Sequence, residues 1–341
     1  MGKRSILDCT LRDGGYITNW YFSPKTISNL IEGLTAARLD YVEIGYINPA
    51  EKESGKSIFK NLQEANRYLP SKSTNTMYMA MMDCAQIGPL DVTTYSEGGI
   101  EGIRVVFYKH QVDEAMELCK SVKENGYKLF VQPMVTIDYS IEEYGALIQR
   151  VNELKPYAIS IVDSFGYMGK KDFRTYFDLL DKQLMEGVKI GFHSHNNMQL
   201  AFVTAQDILE YETDRDLIID ASLLGMGRGA GNLNTEIITN YYNGLIENKY
   251  DLSKIIELIS DEIKPIKDKH TWGYSPYLFL TGLYHCHPNF ACFLLEKYDV
   301  SVEEFERFIQ YIPKPMLTKC RRTYVEELYE KMKNEECKNE E

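Results

Sequence analysis

The stretch Lys189-Ile-Gly-Phe-His-Ser-His-Asn-Asn197 alternates: Ile190 and Phe192 are apolar, while Gly191, His193 and His195 fall between and after them. Side chains two apart on a strand share a face. A strand here turns its apolar side one way and two imidazoles the other. Tyr41–Tyr46 reads alike, with Val42 and Ile44 on one face and Tyr41, Glu43 and Gly45 on the other. Polar groups within and apolar groups outside are what strands of a helix-wrapped barrel require. Catalytic residues in such barrels gather at the C-terminal ends of the strands.

Outward from these two segments the same rhythm continues. Strands are predicted at Ser5–Thr10, Tyr41–Tyr46, Thr76–Asp83, Gly102–Tyr108, Lys128–Thr136, Ala158–Phe165, Lys189–His195 and Leu217–Leu224, with starts about thirty residues apart. Helical patterns lie between them at Pro24–Leu39, Gln111–Asn125, Ile141–Leu154, Lys171–Glu186 and Gln199–Tyr211. Eight βα units predict a (β/α)8 TIM barrel, class α/β, with a doubly wound sheet as the rival arrangement. The barrel domain is expected over residues 1–248. Residues 249–341 read as an all-helical C-terminal appendage, with segments at Asp251–Ile266, Ser275–Leu283, Pro288–Glu296, Val302–Tyr311 and Thr323–Lys333. The final NEECKNEE is expected to fray.

Composition bounds the function. The chain has 341 residues, 44% of them hydrophobic and 26% charged, as in ordinary globular proteins. A net charge of −12 argues against a nucleic-acid partner, which would want concentrated Lys and Arg. No run approaches the length of a membrane span, and MGKRSILDCTLRDGG lacks the apolar core of a signal peptide. Ile6 stands where a myristoylation site wants Ser or Thr. The seven cysteines are scattered, odd in number and without a CxxC pair. They point to a reducing compartment, so a cytoplasmic location is expected, with no membrane partner. A homo-oligomer stays open.

Three constellations carry chemistry. Asp8-Cys9-Thr10-Leu11-Arg12-Asp13-Gly14-Gly15 follows the first strand, and the glycine pair is expected to allow a tight loop. Alone, Arg12-Asp13 also reads as a surface ion pair. His193 and His195 share one strand face and can converge on one metal. A carboxylate from another strand would complete a 2-His-1-carboxylate set. Gly225-Met-Gly-Arg228-Gly-Ala-Gly-Asn232 follows the eighth strand. It is neither a Walker A motif nor a dinucleotide fingerprint, but loops at this place in barrels often hold phosphate or carboxylate. Arg228 is thus a candidate substrate-binding residue and Asn232 a candidate oxygen ligand.

Taken together, DCTLRDGG, Glu43 in YVEIGY, HSHNN and GMGRGAGN resemble the DRE-TIM metallolyases. This family includes hydroxymethylglutaryl-CoA lyase, isopropylmalate synthase and 4-hydroxy-2-oxovalerate aldolase, and the resemblance looks closest to the aldolase branch. It implies that Asp13, His193 and His195 bind a divalent metal, with Asn232 as a further ligand. It implies that Arg12 stabilises an enolate oxygen and that Glu43 is a supporting acid. Mn2+ or Mg2+ suits such a site best, and Zn2+ is allowed by ligand type.

The departures from the family pattern bear on the base. The aldolase branch has a histidine two residues after Arg-Asp-Gly, and the synthases generally have Gln. Here that residue is Tyr16, a candidate catalytic group beside His270, His285 and His287. The lyase branch has a cysteine in the loop that here carries Arg228. Trp272-Gly-Tyr-Ser-Pro-Tyr277 is loosely similar to the aldolase C-terminal domain, too weakly to imply a dehydrogenase partner. The expected activity is a metal-dependent aldolase-type carbon–carbon lyase. It would act on a 4-hydroxy-2-oxo acid through a pyruvate-like enolate and yield a small 2-oxo acid and an aldehyde. The alternatives are a Claisen-type synthase joining an acyl-CoA to a 2-oxo acid, and a metal-binding barrel without catalysis.

Overall fold

The computed structural model describes residues 1–53, 55–71 and 75–340. Among these, eight parallel strands close into a barrel: β1 (Arg4–Asp8), β2 (Tyr41–Ile47), β3 (Met77–Asp83), β4 (Gly102–Phe107), β5 (Lys128–Pro133), β6 (Ala158–Asp163), β7 (Lys189–Ser194) and β8 (Leu217–Ala221). Strands adjacent in sequence are adjacent in space. β1 closes the ring between β8 and β2, with Leu7 opposite Tyr41 and Asp8 opposite Val42. The chain is therefore a TIM barrel and not an open doubly wound sheet. A two-residue strand, Ile58–Phe59, adds to the end of β2.

The barrel helices form where caps and apolar stripes coincide. The helix Pro24–Ala36 starts with Ser23 as N-cap and Pro24 in its first turn. Its Ile27, Leu30, Ile31 and Leu34 are fully buried, following the helical period. Ile141–Leu154 begins with a capping box: Ser140 Oγ accepts from Glu143 N, and Glu143 Oε2 accepts from Ser140 N. The helix Thr235–Leu245, which buries Ile238 and Tyr242, is not among the expected helical segments.

Inside the barrel the side chains form layers. Leu7, Tyr41, Met77, Met79, Phe130, Ala158 and Ile218 make an apolar floor. Above it lie Glu43, Arg104, Gln132, Ser160, His193 and Asp220, all buried. Val42 and Ile44, like Ile190 and Phe192, instead join the core beneath the helices.

A helical C-terminal region follows. Its first part packs with the barrel: Tyr250, Ile255, Leu258, Ile263 and Trp272 belong to the main core. Helices Pro276–Leu283, Asn289–Lys297, Val302–Tyr311 and Arg322–Glu340 surround a second core built on Phe290, Phe305, Phe308, Val325 and Tyr329. The last helix continues through the segment expected to fray, and Glu341 lies outside the described residues. Glu335 accepts from Tyr311 (2.8 Å) and Glu336 from Arg307 (3.1 Å), which ties that helix to its neighbour. Asn197 links this region to the barrel mouth. Its Nδ2 donates to Thr281 Oγ1 (3.1 Å), and its Oδ1 accepts from Ala230 N in the loop after β8 (3.2 Å).

Candidate metal centre and active site

After β1 the chain turns at once into a short helix, Thr10–Asp13. The backbone N–H groups of Arg12 and Asp13 both donate to Cys9 O, so the two side chains emerge over the barrel mouth. The expectation of a glycine-dependent tight loop is corrected here. Gly14 has an ordinary helical φ of −61°. Gly15 is needed for close packing, because a Cβ there would sit 2.0 Å from Trp20 Cδ1.

His193 lies one residue before the end of β7 at Ser194, and His195 follows the strand in a backbone bridge to Asn232. Asp13, His193 and His195 offer donor atoms all within 4.8 Å of one another. His195 Nε2 lies 3.9 Å from Asp13 Oδ2, too far for a hydrogen bond. Ligands each about 2.1 Å from one ion lie roughly 3–4 Å apart, so the spacing suits a shared cation. Asn232 Nδ2 donates to Asp13 Oδ2 (2.6 Å), while Asn232 Oδ1 is buried without a hydrogen-bond partner. An orphaned carbonyl oxygen beside two imidazoles and a carboxylate is what an additional ligand would look like. The close approach depends on Gly227, whose Cβ would lie 2.5 Å from Asn232 Nδ2 and 2.8 Å from Asp13 Oδ2.

The electrostatics fit a cation as well. Burial pushes the His195 imidazole down to about 3, although Asp13 opposes this. The ring is therefore neutral and offers a lone pair. Burial would raise Asp13, but the Arg12 guanidinium, helped by that of Arg228, holds it well below the usual carboxylate range.

Beneath the centre runs a ladder of buried charges. Arg12 pairs with Asp13 and, through Nε, with Glu43 Oε2 at 2.8 Å. Glu43 Oε2 also accepts from Arg104 Nη1 (2.9 Å). Arg104 in turn pairs with Asp220, and Asp220 Oδ2 lies 3.0 Å from His193 Nδ1. Three carboxylates and two guanidiniums make up this buried ladder, and the Arg228 guanidinium stands in the same cleft as Asp13. Glu43 Oε1 and Asp220 Oδ1 have no hydrogen-bond partner among the described residues.

Arg12, Asp13, Tyr16, Tyr46, Gln132, His193, His195 and Arg228 line one cleft. Tyr16 is 40% exposed, and its hydroxyl lies 3.3 Å from that of Tyr46. The guanidinium of Arg228 sits 5.4 Å from the Tyr16 ring centroid and donates to Ser164 O (3.1 Å). None of the other candidate bases lines this cleft, although His287 stands near Arg228. His270 is exposed. His285 is exposed and stacks on Tyr167 at 4.3 Å. His287 is buried against Phe165 and accepts from Asn289 N through Nδ1 (3.1 Å).

Arg104 and Asp220 were missed by the sequence reading. The signal was present: each is a lone charged residue at an inward position of an apolar strand. Asn197 was noticed only as part of HSHNN, and nothing local shows that it reaches a helix more than eighty positions away.

The chain matches the family model described as HMGL-like over residues 3–261. An oxaloacetate decarboxylase from Mycobacterium tuberculosis is 23% identical over 235 residues, 68% of each chain. A 4-hydroxy-2-oxovalerate aldolase from Carboxydothermus hydrogenoformans is 25% identical over 280 residues, covering 77% of this chain and 78% of that one. Among solved structures, the N-terminal domain of a candidate aldolase from Bacteroides vulgatus superposes with a TM-score of 0.77 at 26% identity. The match covers 89% of this chain and 99% of that one. No helix among the described residues is long and apolar enough to cross a membrane.

Proposed function

The chain belongs to the HMGL-like family of carbon–carbon lyases, and on that premise we propose that it is a divalent-metal-dependent aldolase cleaving a 4-hydroxy-2-oxo acid to a pyruvate-like 2-oxo acid and an aldehyde. The observation that carries this reading is the convergence of Asp13, His193 and His195 beside two arginines in one cleft at the barrel mouth.

Asp13, His193, His195 and Asn232 would hold the cation, with Mn2+ or Mg2+ preferred to Zn2+. When bound, it supplies Lewis-acid polarisation of the substrate ketone. Arg12 stabilises the negative charge that develops on the enolate oxygen. Its Nε and Nη1 are held by Glu43 and Asp13, so the guanidinium is aimed before substrate arrives. Glu43 is the acid that fixes this aim. Arg228 binds the carboxylate of the 2-oxo acid by a fork of N–H donors. Tyr16, 40% exposed, relays the proton of the C4 hydroxyl, accepting it on its oxygen while its own hydroxyl proton passes to solvent water. As this happens the C3–C4 bond breaks, the C4 carbon becomes the aldehyde and the electron pair passes into the enolate. A proton returned to C3 from solvent then gives the 2-oxo acid.

The test is cleavage of 4-hydroxy-2-oxovalerate and longer homologues, followed as 2-oxo acid released, with Mn2+ or Mg2+ added to chelator-treated protein. Release that depends on metal supports the reading. Turnover only when acyl-CoA is supplied would replace it with the synthase reading, and tight binding of 2-oxo acid without turnover would replace it with a binding barrel.

A further inference from the structure

The cleft that holds the candidate metal ligands is small, about 40 Å³. By the same measure a second cavity of about 980 Å³ lies beside it, between the loops after β4 and β5 and the helical region. Ligand pockets typically run about 300–1,000 Å³, so the outer cavity is large enough for a ligand of its own. Met134 lines both spaces. Tyr108, on the outer wall, interacts with Arg228 of the inner cleft.

The outer cavity is apolar and aromatic near the cleft and charged farther out. Met134, Val135 and Tyr108 stand on the barrel side, Met316 and Tyr324 on the helical side. Lys319 and Arg321 also line it, and neither has an ion-pair or hydrogen-bond partner for its side chain among the described residues. Nearby cations of the helical region behave differently: Lys297, Arg307, Arg322 and Lys333 are each paired with a glutamate. Lys109 of the same cavity is held by Glu143. Two acids, Asp138 and Glu327, also line the cavity, and neither is in an ion pair among the described residues. Lys319 and Arg321 stand two residues apart on one segment, whereas Asp138 and Glu327 lie on separate elements, so this one corner of the wall is where an anionic group would be met.

We propose that this cavity receives the aldehyde half of the substrate, and that this half is a long or ring-bearing group ending in a carboxylate or phosphate that meets Lys319 and Arg321. The inference rests on the aldolase reading and extends it. A two-carbon aldehyde would leave nearly all of the cavity unused.

Two measurements test it. The first is equilibrium binding, which needs no turnover. Calorimetry with Mn2+-loaded protein compares pyruvate with 2-oxopimelate, whose distal carboxylate can reach outward. Tenfold or tighter binding of 2-oxopimelate is expected, reduced about tenfold in Lys319→Ala/Arg321→Ala. Equal affinities, or an advantage that survives the double substitution, would overturn the proposal. The second is aldol addition of pyruvate to acceptors of matched length ending in methyl, carboxylate or phosphate. The ratio of kcat/KM for anionic over uncharged acceptors should exceed ten and collapse in the double variant, but not in Lys314→Ala, which lies outside the cavity. The better of the two anionic arms identifies the end group. A preference for acetaldehyde would overturn the proposal while leaving the aldolase reading standing. Loss of all addition with 2-oxopimelate still bound tightly would overturn the aldolase reading and the aldehyde assignment with it, leaving only a cavity that binds a distal carboxylate.

Discussion

Asp220 Oδ2 lies 3.0 Å from His193 Nδ1, and the same oxygen is paired with Arg104. Asp220 thus fixes the imidazole so that Nδ1 donates and Nε2 faces the cleft. Carboxylates that orient metal-binding histidines in this way typically contribute 10–100-fold to metal affinity. Asp220→Asn is expected to weaken Mn2+ binding by about that factor, read by competition with a chelator. Unchanged affinity would remove Asp220 from the centre. Asp220→Ala should also lower stability, by about 3–5 kcal/mol, since it strips Arg104 of a buried partner.

Glu43 acts differently, because it touches Arg12 and Arg104 and no candidate ligand. Glu43→Gln leaves the ligand set intact but loosens the aim of Arg12. Turnover should fall about 10–100-fold, with Mn2+ affinity changed far less. A loss of metal with unchanged activity per bound ion would contradict this role.

Tyr16→Phe separates proton handling from packing. If the hydroxyl carries the C4 proton, cleavage should fall about 10²–10⁴-fold. The ring contacts with Trp20 and Arg228 do not involve the hydroxyl, so thermal stability should hold. A loss of only a few fold would exclude Tyr16. His287 is the histidine to substitute next, since the other two lie exposed.

Asp8 supplies a pH dependence of stability. Its buried carboxyl accepts from Thr10 N (2.9 Å) and Thr235 Oγ1 (2.6 Å), yet burial raises it to about 6. An unfolded aspartate titrates near 3.9, so the folded state holds the proton more tightly between the two values. Stability from this group therefore falls as pH rises from about 4 through about 6. Asp8→Asn removes that slope. Relative to the unsubstituted protein, the variant should gain about 2 kcal/mol between pH 4.5 and pH 7 in chemical denaturation. A difference that does not change with pH would contradict the account.

Much of the architecture was legible because its causes are local. Alternation in Tyr41–Tyr46 and Lys189–His195 distinguished inside from outside, and all eight strands are found where the pattern put them. Their ends were drawn two or three residues too late in β1, β5, β6 and β8; beyond β1 and β8, Thr10 Oγ1 accepts from Leu223 N (2.8 Å), a contact that no local pattern records. Arg12, Asp13, Tyr16, His193, His195 and Arg228 were chosen from motifs, and they line one cleft. The supports below them were not legible in the same way. Arg104 joins Glu43 of β2 to Asp220 of β8, a relation created only when the barrel closes. The outer cavity is likewise a product of docking, assembled from two barrel loops and a helical segment about two hundred positions later.

The central claim is that this cleft stabilises the enolate of a 2-oxo acid, and hydrogen exchange at C3 of pyruvate tests it without knowledge of the aldehyde. Proton NMR in heavy water should show loss of the methyl signal when Mn2+ or Mg2+ is restored to chelator-treated protein. Asp13→Asn and His195→Ala should bring the rate to background. No exchange with pyruvate or a close 2-oxo acid, on protein shown to carry one metal ion per chain, would contradict the claim.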